Sequence, residues 1–436
     1  MGDYDGGRFD IQIMLAVKSF NSSVAQDTKP DTSTTGGTSN SLMNPATILG
    51  LETKLQTLQN LKNDTNKEFV GAEIDRLTSK LDKGGLPLPP RLVGNVFEQT
   101  VDAVCQWVEN DPDVSVIGLW GSEGLGKTAV ARHIHAKLDS HPDFFVSWVD
   151  VPPAFSIDDL QNEIAESLHV DISYDVDHTK RMTQLLKPLE AYKTAFKKSV
   201  LILDSVSTTP IPPDQLGIPS DSCTIILTTR SLELCQLTGC QKTVQLEPLS
   251  FEDSWELFVE KHGTAILPRL DAIARSIVRE CDGVPLGIVT LARCLSLKHV
   301  FKREWNAALG KLTAEGGGGG VDQSDPMPTK LFRILRCCYD LLKDWELQRC
   351  FIYCGLHAED SITTRDLMMF SLIDDGVIYS LSLPTTIKKG HEILNKLEDL
   401  CLVEGGTDLK GRKYVFMNKS LSDLAMKIAK SRYFLK

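Results

Sequence analysis

The chain has 436 residues, enough for two or three domains, and its 42% apolar and 24% charged residues are those of an ordinary soluble protein. A formal net charge of -11 argues against a general nucleic-acid binder, which would carry a basic face, so no specific nucleic-acid partner is expected. Eleven cysteines fall within predicted strands and helices rather than at the spacings of a disulfide framework, and no secretory signal opens the chain, which points to a reducing, cytoplasmic setting.

The apolar run Ile11 to Val17 is too short to span a bilayer, and no transmembrane segment is expected. Met1-Gly2 resembles a myristoylation start, but Gly6 stands where Ser or Thr is wanted. From Asn21 to Asn44 the chain is dominated by Ser, Thr, Asn, Gly and Asp, too little apolar surface to offset ordering entropy, so residues 1–45 are expected to be disordered. Ile48, Leu51, Leu55 and Leu58 then repeat at helical spacing, Lys62 and Thr65 interrupt, and Ile74, Leu77 and Leu81 resume. Residues 46–84 therefore read as a short helical or coiled-coil segment, one helix or a hairpin, whose apolar seam serves either a protein partner or the chain's own neighbouring surface. Gly84 to Pro90 makes a linker.

Five strand candidates follow, alternating with helical patterns: Val114 to Trp120, Phe144 to Val151, Ser199 to Leu203, Cys223 to Thr229 and Thr243 to Leu249. Such alternation predicts an α/β fold, a mainly parallel sheet with helices on both faces and a ligand at the carboxyl ends of the strands. The stretch GSEGLGKT, Gly121 to Thr128, matches the G-x-x-x-x-G-K-T phosphate loop, with a buried strand before it and Val130, Ile134 and Leu138 at helical spacing after it. Gly121, Gly124 and Gly126 let the backbone bend around a polyphosphate, so that the peptide N–H groups of Ser122, Glu123, Leu125 and Ala129 and the helix N-terminus face negative charge. Lys127 would reach the outer phosphates, and the Thr128 hydroxyl would hold a magnesium ion. Asp204, ending the third strand, is the candidate second magnesium contact and catalytic carboxylate. Arg230 ends the fourth strand, where a guanidinium can meet a terminal phosphate. His133 and His135, two apart on a helix, point to different sides and read as surface residues.

Apolar spacing from Glu247 to Leu312 is helical, and Gly316 to Gly320 reads as a flexible linker. Leu331, Leu335, Cys338 and Leu342 mark a helix, Thr363 with Asp366 forms a capping-box signature, and Leu394, Leu397 and Cys401 mark another helix. The segment LVEGGTDLKGRKYVF from Leu402 reads as two short strands around a turn, and Ser420 with Asp423 starts a last helix, which together make a winged helix. Cys337, Cys338, Cys350, Cys354 and His357 read as buried helix positions rather than a zinc set, and Lys410, Arg412, Lys413 and Lys419 as a solvated basic edge on the wing.

The order GSEGLGKT, LILD, ILTTR, CDGVPLG (Cys281 to Gly287) and CFIYCGLHAED (Cys350 to Asp360) resembles the NB-ARC module of plant disease-resistance proteins, nucleotide-binding leucine-rich-repeat receptors of the coiled-coil type and members of the STAND P-loop NTPases. Val93-Gly94, the segment EPLSFEDSWELF from Glu247 and Glu304-Trp305 are similar to it as well, so the likeness runs from about Arg91 onward. The resemblance implies a P-loop domain over residues 91–242, a helical subdomain over 243–313, a linker over 314–328 and a winged-helix subdomain over 329–436. It also implies bound ATP or ADP with Mg2+, Val93 lining the adenine pocket, Pro285 packing on the adenine, and Arg230 sensing the terminal phosphate.

Departures from the family pattern bear on mechanism. The strand-end motif usually carries two aspartates, and here the second position is Ser205, which cannot act as a carboxylate base, so hydrolysis is expected to be slow or absent. Met417, Asn418 and Lys419 stand where the family shows Met-His-Asp; Asn418 can still hydrogen-bond a phosphate, whereas Lys419 reverses a charge. No leucine-rich repeat follows the winged helix in this sequence. The expectation is a nucleotide-dependent switch in plant innate immunity without the repeats, at most a slow ATPase, whose N-terminal helix meets a second copy or a full-length receptor. The alternatives are a degenerate nucleotide-binding adaptor and a winged-helix transcriptional regulator, with a metabolic kinase last.

Overall fold

The computed structural model of the protein describes residues 45–82, 89, 91–152, 155–172, 177–207, 209–219, 222–296, 301–314, 329–357, 363–380, 382–407 and 412–433. Of the segment 1–45 expected to be disordered, residues 1–44 lie outside the described residues, as do the Gly316–Gly320 linker and the wing tip at Lys410, while Pro45 already begins a helix. The chain divides into two compact units, one ending at Glu247 and the other starting at Pro248.

In the first unit, β1 (Val116–Trp120), β2 (Phe144–Asp150), β3 (Lys198–Val206), β4 (Thr224–Thr229) and β5 (Lys242–Gln245) form one sheet in the order β2-β3-β4-β1-β5, with every neighbouring pair parallel. All six residues of β4 are buried, the continuous burial expected of a strand covered on both faces. β1 hands the chain to β2 at the far edge, leaving β4 and β3 beside it, so the carboxyl ends of β1, β4 and β3 stand together. Two strand boundaries differ from the sequence reading. β3 runs past Asp204 to Val206 through a register shift against β4, and β5 ends at Gln245, short of Pro248, whose ring carries no N–H for a ladder. Because β5 starts at Lys242 and belongs to the sheet, the sheet continues past the residue-242 boundary.

The helices of this unit are α1 (Pro45–Leu61), α2 (Lys67–Asp82), α3 (Asn95–Asn110), α4 (Lys127–Asp139), α5 (Ile157–Ser167), α6 (His178–Ala195), the short α7 (Pro213–Leu216) and α8 (Leu232–Thr238). α1 and α2 are two helices packed on each other, with the break between them closed by Asn63 and Asn66, whose side-chain oxygens accept from the Thr65 and Asn63 N–H groups. Their seam is not left open. Leu51, Leu58, Phe69, Val70 and Leu77 are buried in one core with Phe145 and Tyr192, whose rings stack at 3.8 Å. Burial of each such side chain is worth about 1.5–3 kcal/mol before ordering entropy is subtracted.

A charged contact fixes the same docking. Asp139, the last residue of α4, receives Lys54 Nζ of α1 at 2.9 Å, and Lys80 Nζ and Arg76 Nη2 of α2 at 2.7 and 3.3 Å. Lys54 and Asp139 are both fully buried. Arg76 also grips Glu73 at 2.6 Å. His135, one turn earlier on α4, sets its ring edge-on to Trp148 at 6.0 Å. The surface reading of His133 and His135 therefore fails: both are half-buried, because α4 is covered on its far side.

The second unit opens with α9 (Phe251–His262), α10 (Pro268–Glu280), α11 (Pro285–Ser296) and α12 (Lys302–Thr313), gathered around the fully buried Trp305, whose ring meets Phe258 and His262 at 6.2 and 5.7 Å. It continues through α13 (Thr329–Leu341), α14 (Trp345–Leu356), β6 (Thr363–Thr364), α15 (Arg365–Asp374), α16 (Leu383–Asp399), β7 (Glu404–Thr407), β8 (Lys413–Phe416) and α17 (Lys419–Tyr433). The three strands form an antiparallel sheet in the order β6-β8-β7, and helices with this sheet make a winged helix. α14 and α17 touch so closely at Gly355 that an added Cβ would lie 2.3 Å from that of Ala425. Cys337, Cys338, Cys350 and Cys354 are all buried in these helices.

Two helix starts shift from their expected caps. Thr364, not Thr363, caps α15: both threonines pair with β8, and it is the Thr364 hydroxyl that accepts from Leu367 N–H. α17 begins at Lys419 rather than Ser420, because Asn418 Oδ1 accepts from Ser420 N–H at 3.0 Å.

Candidate functional site

The chain leaves β1 at Trp120 and turns through Gly121–Gly126 before α4 begins at Lys127. Gly124 and Gly126 have φ of 79° and 86°, the left-handed region that disfavours residues with a Cβ, and a Cβ on Gly121 would lie 2.7 Å from the Leu246 carbonyl. Gly121 N–H is tied to Thr229 O of β4 at 3.3 Å, and Val130 N–H closes the first helical bond on Gly126 O. These bonds set the turn at the amino end of a 13-residue helix, whose unpaired N–H groups favour an anion.

Lys127 Nζ donates to the loop's own carbonyls, Gly121 O at 2.7 Å and Ser122 O at 2.8 Å. Burial, with the nearby Arg230 guanidinium adding to it, pushes this ammonium down to about 8. The lysine is held over the loop with its charge only partly compensated. Glu123, nearly buried in the same loop, accepts from Arg230 Nη2 at 3.0 Å, so the arginine at the end of β4 reaches back across the loop.

The carboxylate of Asp204 is 3% exposed and surrounded by hydroxyls. Thr128 Oγ1 donates to its Oδ2 at 2.8 Å, and Thr228 Oγ1, from β4, donates to its Oδ1 at 2.6 Å. Burial raises its pKa above the ordinary carboxylate value, opposed by these two hydroxyls. Asp150 adds to the rise from across the sheet, where it is the register partner of Asp204. Ser205 follows in the left-handed region at φ 68°; its N–H donates to Thr228 Oγ1 at 2.8 Å and its Oγ to Asp204 Oδ2 at 3.3 Å. The serine thus turns back on Asp204.

A hydroxyl and a carboxylate in direct contact are hard oxygen donors of the kind magnesium takes, and a glycine turn with a lysine at a helix N-terminus is the complement of a phosphate chain. Of the residues singled out in the sequence, Gly121, Ser122, Glu123, Gly124, Leu125, Gly126, Lys127, Thr128 and Ala129 form the turn and first helical residues, and Asp204 and Arg230 converge on them. Val93 is buried just ahead of Gly94, which starts α3, and α3 packs against α4. Pro285 and Asn418 belong to the second unit, where Pro285 is the first residue of α11 and Asn418 caps α17.

Sequence reading missed Thr228 as the clamp on Asp204, Asp150 as its neighbour, and Glu123 as the partner of Arg230. Thr228 carried a signal, lying two residues before Arg230 at the ligand end of a buried strand. The pairing of Asp150 with Asp204 needed the register.

Residues 97–266 match the NB-ARC domain. Among curated proteins of Arabidopsis thaliana, the chain is 31% identical over 325 residues to disease resistance protein At4g27190, covering 72% of this chain and 32% of that one. It is 27% identical over 389 residues to putative disease resistance protein At4g10780, covering 85% of this chain and 41% of that one. The chain therefore spans well under half the length of these relatives. A solved structure of the Aeropyrum pernix ORC1 protein in complex with DNA aligns over 83% of this chain and 97% of that one at 11% identity and a TM-score of 0.37.

Proposed function

Because the chain carries an NB-ARC domain and resembles plant disease resistance proteins over most of its length, we propose that it is an adenine-nucleotide-dependent switch acting in plant defence, with weak or absent hydrolysis. The observation that carries this reading is the convergence of Lys127, Thr128 and Asp204, drawn from two strand ends, at one glycine turn. ATP or ADP binds with its phosphates on the N–H groups of Gly121–Ala129 and on Lys127, and Val93 belongs to the segment facing the base. Thr128 and Asp204 would hold Mg2+, which would neutralise phosphate charge.

In this reading weak hydrolysis follows from the residues around Asp204. Lys127 exchanges two carbonyl acceptors for phosphate oxygens, a gain of charge-assisted bonds that favours the bound state. The contact of Arg230 with Glu123 supports a role for this guanidinium in distinguishing a third phosphate from its absence, which would make binding state-dependent. No carboxylate follows Asp204: Ser205 is exposed but its hydroxyl donates to Asp204 and cannot take a proton as a carboxylate does, so water activation lacks a base at that position.

The second reading, an adaptor that keeps nucleotide for stability alone, is favoured by the same Ser205. Mass spectrometry of nucleotide released from the purified chain tests the first part, with ADP or ATP expected. Titration with labelled nucleotide then compares the wild type with Lys127→Ala. Equal affinities would remove the site, and equal response of the chain's conformation to ADP and ATP would leave the adaptor.

A further inference from the structure

We propose that Cys235 and Cys240 form a reversible disulfide, an oxidative-modification site against the strand that feeds the glycine turn. Both thiols occupy the space opposite Gly118 in β1. A Cβ built there would lie 2.5 Å from Cys235 Sγ and 3.1 Å from Cys240 Sγ, so this buried strand position is glycine where two sulfurs meet. The backbone brings them together. α8 ends at Thr238 and is capped by Gly239 with φ 85°, Gly239 N–H donates to Gln236 O, and Cys240 N–H donates to Cys235 O at 3.0 Å, a helix stop in which the fourth-last helical residue and the second residue beyond the end touch. With standard bond lengths that hydrogen bond keeps the two Cα atoms within about 7 Å, the upper edge of disulfide geometry.

Access and acidity support the same pair. Cys235 is buried and Cys240 is half-exposed, so a small oxidant reaches the pair from one side. Within the pair the Cys240 S–H lowers the Cys235 thiol below its ordinary value and is itself raised by the same contact, leaving Cys235 as the thiolate, whereas burial pushes Cys105, Cys223, Cys337 and Cys354 up to about 12. Cys401 is the other half-buried cysteine, pushed up by burial, and serves as an internal comparison.

The oxidant is a hydroperoxide. The thiolate of the pair attacks its terminal oxygen, the O–O bond breaks, and a sulfenic acid forms as the alkoxide, or hydroxide from hydrogen peroxide, leaves and takes up a proton. The second sulfur attacks the sulfenic sulfur, the S–S bond forms, and hydroxide departs with the second thiol's proton as water. Two electrons pass from the sulfurs to the peroxide oxygens, and the bond is returned to thiols by a dithiol reductant.

The consequence falls on the sheet edge. Cys240 is followed by Gln241, whose N–H donates to Val116 O at 3.0 Å and whose Oε1 accepts from Val116 N–H at 2.7 Å, the first bonds joining the β5 edge to β1. A disulfide staples the end of α8 to that junction and restricts fraying of a four-residue edge strand.

The experiment treats the full chain with hydrogen peroxide, alkylates remaining thiols, digests it and maps the products by mass spectrometry, with a thermal melt on the same samples. Expected are a Cys235–Cys240 crosslink lacking two hydrogens, Cys401 still alkylated, reversal by dithiothreitol, and a melting midpoint raised by a few degrees, roughly what a short staple gives a domain of this size. Cys240→Ser, at a half-exposed position, removes the crosslink and the shift; Cys235→Ala repeats the test from the other side. Cys235 and Cys240 both alkylated after Cys401 has been oxidised, or oxidation of Cys240 to sulfinic acid or an intermolecular bond, would overturn the proposal.

Discussion

Thr128 Oγ1 lies 2.8 Å from Asp204 Oδ2, although 76 residues separate the two in sequence. The contact exists because β1 and β3 flank β4, so the helix entered from one strand meets the carboxylate that ends near the other. A hydroxyl donating to a buried carboxylate partly satisfies a charge that the ligand-free protein would otherwise hold at a cost.

That cost gives the first prediction. Burial raises the Asp204 pKa, so the folded state takes up its proton at higher pH than the unfolded chain does. The sign follows: with chelator present, stability rises as pH falls through the raised folded value and levels off below the ordinary carboxylate value. Asp204→Asn should flatten this dependence, raise the melting temperature at neutral pH without metal, and remove the Mg2+ dependence of nucleotide affinity. Thermal melts against pH with and without Mg2+ check it, and identical pH profiles for the two proteins would exclude Asp204 as the responsible group.

Lys127 gives a binding profile of the opposite kind. In the ligand-free protein its ammonium titrates near 8, and bound phosphate stabilises the charged form. Affinity should be constant below about 8 and fall as pH rises above it, until the bound-state value is passed. Lys127→Ala should weaken binding by roughly tenfold to a hundredfold and abolish the pH dependence, as expected for loss of a charge-assisted contact of about 1.5–3 kcal/mol. Arg230→Gln removes one of the neighbours that depress Lys127, so its profile should move to higher pH. Calorimetric titrations across that range read all three.

What the sequence disclosed divides along a physical line. Continuous apolar strands, a glycine turn and the helix after it are local patterns, and the sheet, the turn and Asp204 were legible from them. Pairings that depend on strand order were not: Thr228 reaches Asp204 because β4 lies beside β3, and Asp150 matters only through its register. The helical hairpin was half legible. Its apolar repeat was plain, but what covers that repeat is decided by Lys54 and Lys80, three residues after Leu51 and Leu77 on the same stripe, where a buried charge signals a fixed counter-ion.

Ser205 offers a gain-of-function test. Its φ of 68° is tolerated by Asp better than by most residues, so Ser205→Asp is expected to fold. A carboxylate there supplies the missing base, and steady-state ATP hydrolysis should rise by about 10²-fold or more if general-base catalysis is what limits turnover. A wild-type rate already in the usual enzyme range would show that Ser205 limits nothing.

The Asp139 cluster ties the N-terminal hairpin to α4. Removing this carboxylate strands Lys54 and Lys80 beside Arg76 in a buried site, and losing one member of such a network costs about 3–5 kcal/mol. Lys54→Met should cost less, since Asp139 keeps two cations and burial already lowers the Lys54 pKa. Acid acts on the same contact. Arg76 overcomes burial to hold Glu73 near 2, and Lys54, Arg76 and Lys80 hold Asp139 well below its ordinary value. Their contribution is present above the ordinary carboxylate range and is lost as pH falls toward 2. Native-state hydrogen exchange localises the effect: in Asp139→Ala, protection over Pro45–Asp82 should collapse to a few kcal/mol below that of the sheet, while β1, β3 and β4 keep theirs. Unchanged protection in the hairpin would mean that Leu51, Leu58, Phe69, Val70 and Leu77 hold it without the charges. Selective release would instead show that the ion cluster, and not the apolar seam alone, holds the hairpin in place.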